Sequence, residues 1–576
     1  MDAPIQPDTS AGKRQRSGAI RRFFPLIDSL QAYDRSAFLT DLNAGLLVGV
    51  ILIPQGMAYA ELAGVPAIYG LYTALFPVLI YAFLGSSRHL SIGPVAISSL
   101  LLFAGVSQLA TPGSAEYVGL VITCGFLVGA LQFLIRVTRL GFLASFLSYP
   151  VITGFTSAAA VIIILSQVKS IFGLAISSTA GFREASQYFF EHLADINLVT
   201  LALSLGSLLL LLGLGKWFPK VPGALLVVIG SIALCYGAQL DTLGVAIIGT
   251  IPSGIPAFSL PPLGLQSVRE LGPTLVTLTL MGVVECISIG RSIADQQRTY
   301  EIDANQELIA IGMSKMVGGF FAAIPSSGSF SRSSINATAG ARSQLSTLVA
   351  ALLVLLTLLF LTPLFYYLPK AILATIIILS VFKLIAVQEA YKLWQSHRSD
   401  FWMLLITFGS TLLLGIVTGV FLGVILSLAM VLYRISTPHV AVLGRVPGKT
   451  YYRNIERFDS VIEVADHLIV RFDQQLYFGN ADFFKDRIRH LIKQHKAPLH
   501  AVFLDAQGIN AIDSSGMRSL LDLNRDLTER GIHFYICNPI GPIRDRIKIH
   551  NEKYPNEALT LSMFLHDAVM QEINGG

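Results

Sequence analysis

From about Phe38 to about Tyr433 one apolar segment follows another, separated by short polar breaks. A backbone surrounded by hydrocarbon must satisfy its own N–H and C=O groups, so such a chain folds as a set of membrane-spanning helices. Composition agrees: 13% of the residues are charged and 53% hydrophobic, where soluble domains carry about 25% charged residues. The chain is therefore read as an α-helical polytopic membrane protein. Its formal net charge of +5 is small for 576 residues and gives no reason to expect a nucleic-acid partner. In a membrane protein the distribution of Lys and Arg reports orientation instead.

Candidate spans lie near 38–60, 66–85, 92–109, 116–137, 143–168, 196–217, 222–239, 271–294, 303–323, 329–341, 344–365, 369–387, 400–417 and 418–434. Fourteen is even, so both ends fall on one side; tight Gly-rich turns leave twelve or thirteen open. With the N-terminus inside, the inside loops hold eleven Lys and Arg and the outside loops four: Lys169, Arg183, Arg269 and Lys370. The basic start "MDAPIQPDTSAGKRQRSGAIRRFF" reads as a disordered cytoplasmic tail over 1–35 without a signal peptide. The four cysteines are scattered, with no spacing for a metal site or a disulfide frame.

Two spans are broken. "SIGPVAISS" (91–99) interrupts the third with Gly93-Pro94, and "PSSGSFSRSSINAT" (325–338) interrupts the tenth with seven hydroxyl residues and Arg332. Fourteen spans divide into two sevens, and because seven is odd, sequential copies have opposite topology, as in many secondary transporters. The unusual features recur at nearly one offset: 230 residues from Gln55 to Glu285 and 236 from Pro94 to Phe330. Paired interrupted helices mark a transport site. Pro94 suits the first turn of a helix, where no N–H is missed. A helix starting there would direct its positive end and free N–H groups at an anion.

Other readings stand beside this one. The Ser-rich stretch also suits a loop, with Arg332 snorkelling to a surface. Gln55 and Tyr59 also suit packing between helices. Glu285, a carboxylate in mid-span, is a functional candidate by default, or a structural ion-pair partner of Arg332 or Lys315. An arginine at the bilayer centre costs about 2.5–3.5 kcal/mol even on lenient scales, which favours a watery anion pocket.

After "RISTPHVAVLGRVPGK" the composition changes, and the boundary is set near residue 436. "HLIVRF" (467–472), "QLYFG" (475–479), "HAVFLDA" (500–506) and "IHFYICN" (532–538) read as strands. The stretches 482–496 and 515–531 read as amphipathic helices. Their alternation predicts a small α/β domain with a largely parallel centre. "DSSG" (513–516) reads as a helix cap, or as a regulatory phosphorylation site or partner contact.

The motifs "DLNAGLLVGVILIPQGMAYAELAGVPAIYGLYTALFP" (41–77), "SIGPVAISS" and "SGSFSRSS", followed by "LDAQGINAIDSSGMRSLLDL" (504–523), resemble the sulfate permease (SulP) family of anion transporters, relatives of prestin and pendrin, with their C-terminal STAS domain. The resemblance covers roughly 35–572 and implies a 7+7 inverted repeat of fourteen spans, like that of uracil permease. It implies a core of spans 1–4 and 8–11 and a gate of spans 5–7 and 12–14, within a transporter domain at 36–436 that precedes a linker and STAS domain at 437–576. By motif, the anion would meet Gln55, Tyr59, the N–H groups of Val95 and Ala96, and Phe330, Ser331 and Arg332. Glu285 matches a carboxylate of proton-coupled members, and Ser515 a phosphorylatable serine of related regulators.

The resemblance therefore implies a secondary active transporter, not an enzyme. The expectation is a homodimer in a bacterial-type inner membrane, with the N-terminus and STAS domain cytoplasmic, working by an elevator-like motion. It would need no cofactor or metal and use the proton, rather than sodium, as coupling ion. Sulfate is the favoured anion; bicarbonate and dicarboxylates such as fumarate or succinate are alternatives, as are exchange and channel activity. A membrane-anchored regulator with the STAS domain as output, contacting a cytoplasmic protein partner, is the reading from another class.

Overall fold

The computed structural model describes residues 24–29, 33–138, 148–174, 187, 191–218, 222–298, 300–495 and 497–575. Most of the basic N-terminal tail, and Arg139, Arg183 and Lys220 of the loop count, lie outside the described residues. The chain divides into two compact units between Ser427 and Leu428.

Each apolar segment contains a helix, and the last of these begins in the first unit and runs on past Ser427. In chain order these are α1 (Arg35–Leu62), α2 (Ala67–Leu84), α3 (Ala96–Val106), α4 (Ala115–Val137), α5 (Tyr149–Ser166), α6 (Leu198–Trp217) and α7 (Gly223–Ala238). The second half gives α8 (Leu265–Gln297), α9 (Ala304–Phe320), α10 (Phe330–Thr338), α11 (Leu345–Leu356), α12 (Lys370–Phe382), α13 (Arg398–Leu414) and α14 (Ile416–Ser436). Among the described residues nine helices are long and apolar enough to cross a membrane. α3 and α10 are the short ones, of 11 and 9 residues, because each begins at a break where the chain is extended.

Those breaks hold strands β1 (Ile92–Gly93) and β2 (Ser327–Gly328), which pair antiparallel. Antiparallel pairing sends α3 and α10 off in opposite directions, with their N-termini beside one short ribbon. Helix packing follows the same symmetry. α9 lies on α2 and α4, and α11 on α1 and α2, whereas α13 and α12 lie on α5 and α6 lies on α12. Close approach depends on small residues. A Cβ on Gly129 of α4 would come within 2.7 Å of the Gly312 carbonyl of α9, and one on Gly312 within 2.9 Å of the Gly129 carbonyl.

The second unit is a six-stranded sheet of order β4-β3-β5-β6-β7-β8. Its strands are β3 (Val440–Arg445), β4 (Tyr452–Asn454), β5 (His467–Phe472), β6 (Ala501–Asp505), β7 (His533–Cys537) and β8 (Thr560–Ser562). β5 to β8 are parallel, and β3 runs antiparallel to both β4 and β5. Alternate residues serve opposite faces. Leu468, Val470, Val502 and Leu504 pack with Phe484, Ile488, Leu520 and Leu523 from helices α15 (Ala481–Gln494) and α16 (Ser514–Glu529), and with Ile543 of α17 (Gly541–Lys553). Ile469, Ala501 and Phe503 face Leu565 and Val569 of α18 (Leu565–Gly575).

One expected strand is corrected. "QLYFG" (475–479) forms only a bridge, Leu476 to Ile512. Asn480 turns the chain there by accepting from the Tyr477 N–H at 3.0 Å, which directs the chain into α15. β3, β4, β8 and the last two helices did not appear in the sequence reading.

Candidate functional site

The site is built where β1 and β2 meet. Gly93 has φ +149°, a conformation that favours glycine, and a Cβ there would lie 3.2 Å from the Arg332 Nη2 atom. The chain then turns through Pro94 into α3, whose N-cap Val95 has no side-chain cap. Unsatisfied N–H groups at such a helix start carry partial positive charge. On the other side Ser329 caps α10, its hydroxyl accepting the Arg332 N–H at 3.4 Å, and its own N–H donates to the Ser91 carbonyl at 3.0 Å.

Arg332 is the largest fully buried side chain among the described residues. It does not snorkel. Nη1 donates to Gln55 Oε1 at 3.1 Å and Nε to the Ser91 hydroxyl at 3.4 Å, while Nη2 is buried without a hydrogen-bond partner. A buried guanidinium edge left open in this way is fitted to accept a ligand oxygen. Gln55 is placed by α1 one residue after Pro54, and Tyr59 follows a turn later, also buried. Tyr59, Arg332 and Glu285 lie within electrostatic range of one another.

Glu285 of α8 is half-buried and accepts from the Ser327 hydroxyl of β2 at 2.6 Å. Neither Arg332 nor Lys315 closes an ion pair with it; their side-chain donors go to Gln55 and Ser91, and to Gln132, respectively. Next to it Cys286 accepts the Gly328 N–H at 3.2 Å, tying α8 to the ribbon.

The structure thus brings Gln55, Tyr59, Val95, Ala96, Arg332 and Glu285 to one place. Phe330 and Ser331 form the first turn of α10 there, but both are exposed, Phe330 by 52%. Ser515 lies in the other unit, half-buried in the first turn of α16; the cap itself is Asp513, which accepts the Gly516 N–H at 2.7 Å. The sequence reading did not single out three serines that hold the site. They are Ser91, Ser327 and Ser333, the last of which accepts the Ser91 N–H at 2.8 Å. All three stand inside the two motifs, which is the one local signal they give.

The sulfate permease family model matches residues 38–407, a span that contains both broken helices, and a STAS domain model matches 453–553. The chain belongs to the sulfate permease family. It is accordingly a transporter and not an enzyme. This permease is 37% identical over 519 residues to probable sulfate transporter 4.2 of Arabidopsis thaliana, covering 87% of the chain and 76% of the relative. It is 33% identical over 524 residues to a probable sulfate transporter of Mycobacterium tuberculosis, covering 91% and 93%. The permease is also similar to the solved structure of the murine Solute Carrier 26 family member A9 anion transporter in the inward-facing state. The TM-score is 0.88 at 26% identity, over 100% of this chain and 96% of that one. The transmembrane domain of a cyanobacterial bicarbonate transporter, BicA, shares the fold with a TM-score of 0.59 at 21% identity, over 69% and 98%.

Proposed function

We propose that this permease is a secondary active transporter that takes up a small oxyanion, sulfate first, together with protons. One observation carries the reading: Arg332 is wholly buried with Nη2 unpartnered, between two helix starts that carry positive partial charge. An oxyanion there receives the guanidinium edge and the N–H groups of Val95 and Ala96 on one side, and the first turn of α10, with Phe330 and Ser331, on the other. Gln55 and Tyr59 line the approach. The Arabidopsis and mycobacterial relatives, described as sulfate transporters, support the choice of anion.

A divalent anion entering a cell that is negative inside climbs about 4.6 kcal/mol per 100 mV. Accumulation therefore requires cations to travel with it. Glu285 supplies the exchange point. Its carboxylate holds one hydroxyl donor and faces Arg332 and Lys315 without pairing to either. An anion at Arg332 cancels part of the positive field on Glu285, so proton and anion favour each other.

The motion we propose is elevator-like, with α1–α4 and α8–α11 moving against α5–α7 and α12–α14, in a homodimer with the N-terminus and STAS domain on the cytoplasmic face of the inner membrane. One ion pair between the groups would break in each cycle: Glu61–Lys370 at 3.0 Å. Ser515 is proposed as a regulatory phosphorylation site or contact for a cytoplasmic partner.

The test is uptake by purified protein in liposomes over sulfate, bicarbonate and fumarate, with and without an inward proton gradient at clamped voltage. The expected result is saturable sulfate uptake that the gradient drives. A flux that ignores the gradient identifies a channel, and no flux at all identifies a sensor; either overturns the reading.

A further inference from the structure

Lys315 of α9 is a second buried cation beside the site, 4% exposed. Its Nζ donates to Gln132 Oε1 of α4 at 2.9 Å. The amide of Gln132 in turn donates to the Thr279 carbonyl of α8 at 3.2 Å. The pair lies against a glycine: a Cβ on Gly282 would be 2.7 Å from Gln132 Nε2 and 3.8 Å from Lys315 Nζ. Residues three and four apart share a helix face, so the ammonium lies one turn from Glu285 and Cys286. An ammonium has three donors, and the titratable side chains in its electrostatic range are Cys286 and the carboxylate of Glu285.

The surroundings of Glu285 divide by element. α9 presents Lys315, α10 Arg332 and α1 Tyr59; its own helix presents Cys286, and β2 the Ser327 hydroxyl. α3 carries no titratable side chain, and α4 brings Gln132 and, one turn farther along, Arg136. Arg332 and Lys315 thus differ in kind. The first has an open edge and is answered by whatever anion arrives. The second is tethered through Gln132 to the backbone of the helix that bears Glu285.

We propose that Lys315, pinned by Gln132 in the space left by Gly282, is a positioning residue for the proton step: a standing positive charge that lets Glu285 give up its proton once the anion has left. This rests on the proton-coupled reading above. With the anion bound, Arg332 is neutralised and Glu285 takes a proton against Lys315 alone. With the anion gone, both cations favour release. Without Lys315 the proton would be held too well and the carrier would return loaded.

The experiment is sulfate uptake over a pH series at clamped voltage, in liposomes containing the full chain. Lys315→Gln shifts the pH midpoint upward by about one pH unit or more and slows net uptake several-fold, with Lys315→Arg restoring the parent midpoint. Gln132→Leu releases the ammonium toward Glu285 and shifts the midpoint the other way, so the result does not depend on the folding of one variant. In a Glu285→Gln background neither change moves the profile. Parent-like midpoints in both Lys315→Gln and Gln132→Leu, with pH dependence still abolished by Glu285→Gln, overturn the role of Lys315 and leave proton coupling intact. A parent without pH dependence overturns both.

Discussion

Glu307 and Glu285 stand on neighbouring helices, α9 and α8, and have opposite surroundings. Glu307 is fully buried and accepts four hydrogen bonds: from the Tyr81 hydroxyl at 2.8 Å, the Ser86 N–H at 2.8 Å, the Ser86 hydroxyl at 2.7 Å and the Ser87 N–H at 2.9 Å. Asp41 is similar, with Tyr33, the N–H groups of Arg342 and Ser343, and the Ser343 hydroxyl as donors. Glu285 has the one donor from Ser327. A carboxylate whose lone pairs are filled by N–H and O–H donors fastens the chain that supplies them. One left mostly open is free to exchange a proton. The two regions are joined, because the turn that Glu307 fastens at Ser86 and Ser87 runs on through His89 to Ser91 and so to Arg332. Tyr300 and the Ala341 carbonyl hold His89 on both ring nitrogens, at 3.0 and 2.8 Å. A saturated anchor holds an unsaturated site in place.

Substitutions test that contrast. Arg332→Ala should abolish saturable uptake while the protein still inserts, since the open edge and two of the site's hydrogen bonds go together. Arg332→Lys should be poor as well, because a planar fork becomes a point charge. Wild-type affinity in the alanine variant would end the anion-site reading. Glu307→Gln should act on the fold, destabilising it by about 3 kcal/mol and lowering the yield of monodisperse protein, because an amide adds donors where four donors converge. Glu285→Gln should leave thermal stability within about 1 kcal/mol of the parent and remove dependence on the proton gradient. If the two carboxylate variants behave alike, the contrast fails.

Smaller effects should come from the frame. Gly93→Ala strains a positive φ and meets Arg332 Nη2 at 3.2 Å and Leu52 at 3.1 Å; KM should rise about tenfold, a strain of about 1–2 kcal/mol, with surface amount unchanged. The smallest effect is expected in the cytoplasmic unit. Partial burial pushes the Asp473 carboxyl up, but hydrogen bonds from Arg471 and His439 outweigh it and leave it below the ordinary carboxylate value. A depressed carboxylate contributes stability above its unfolded pKa of about 3.9 and loses it as pH falls through the lower folded value. Asp473→Asn should therefore destabilise a 437–575 fragment at neutral pH by about 1 kcal/mol or less, read as a small fall in melting temperature. The difference should vanish in strong acid; one that grew there would contradict the assignment.

The apolar runs determined by themselves that this is a bundle of helices, because hydrocarbon leaves a backbone few choices. Gly93-Pro94 and the Ser-rich stretch around Arg332 marked the two breaks, because helix-breaking and hydroxyl residues are out of place in lipid. The parallel centre of the cytoplasmic sheet was legible too, in the alternation of β5, β6 and β7 with α15 and α16. The edge strands β4 and β8 were not: at three residues each they are too short to carry a period. "QLYFG" had the composition of a strand and formed only a bridge to Ile512, because Asn480 turns the chain there by accepting from the Tyr477 N–H. The state of each buried charge was decided only in three dimensions. Sequence placed Arg332, Glu285 and Lys315 in apolar surroundings, but it could not say that Gln132, 183 residues before Lys315, would take the ammonium. Nor could it say that Glu307 would be saturated and Glu285 left open. Hydropathy is a property of neighbours along the chain, whereas the partner of a buried charge is set by contacts hundreds of residues apart.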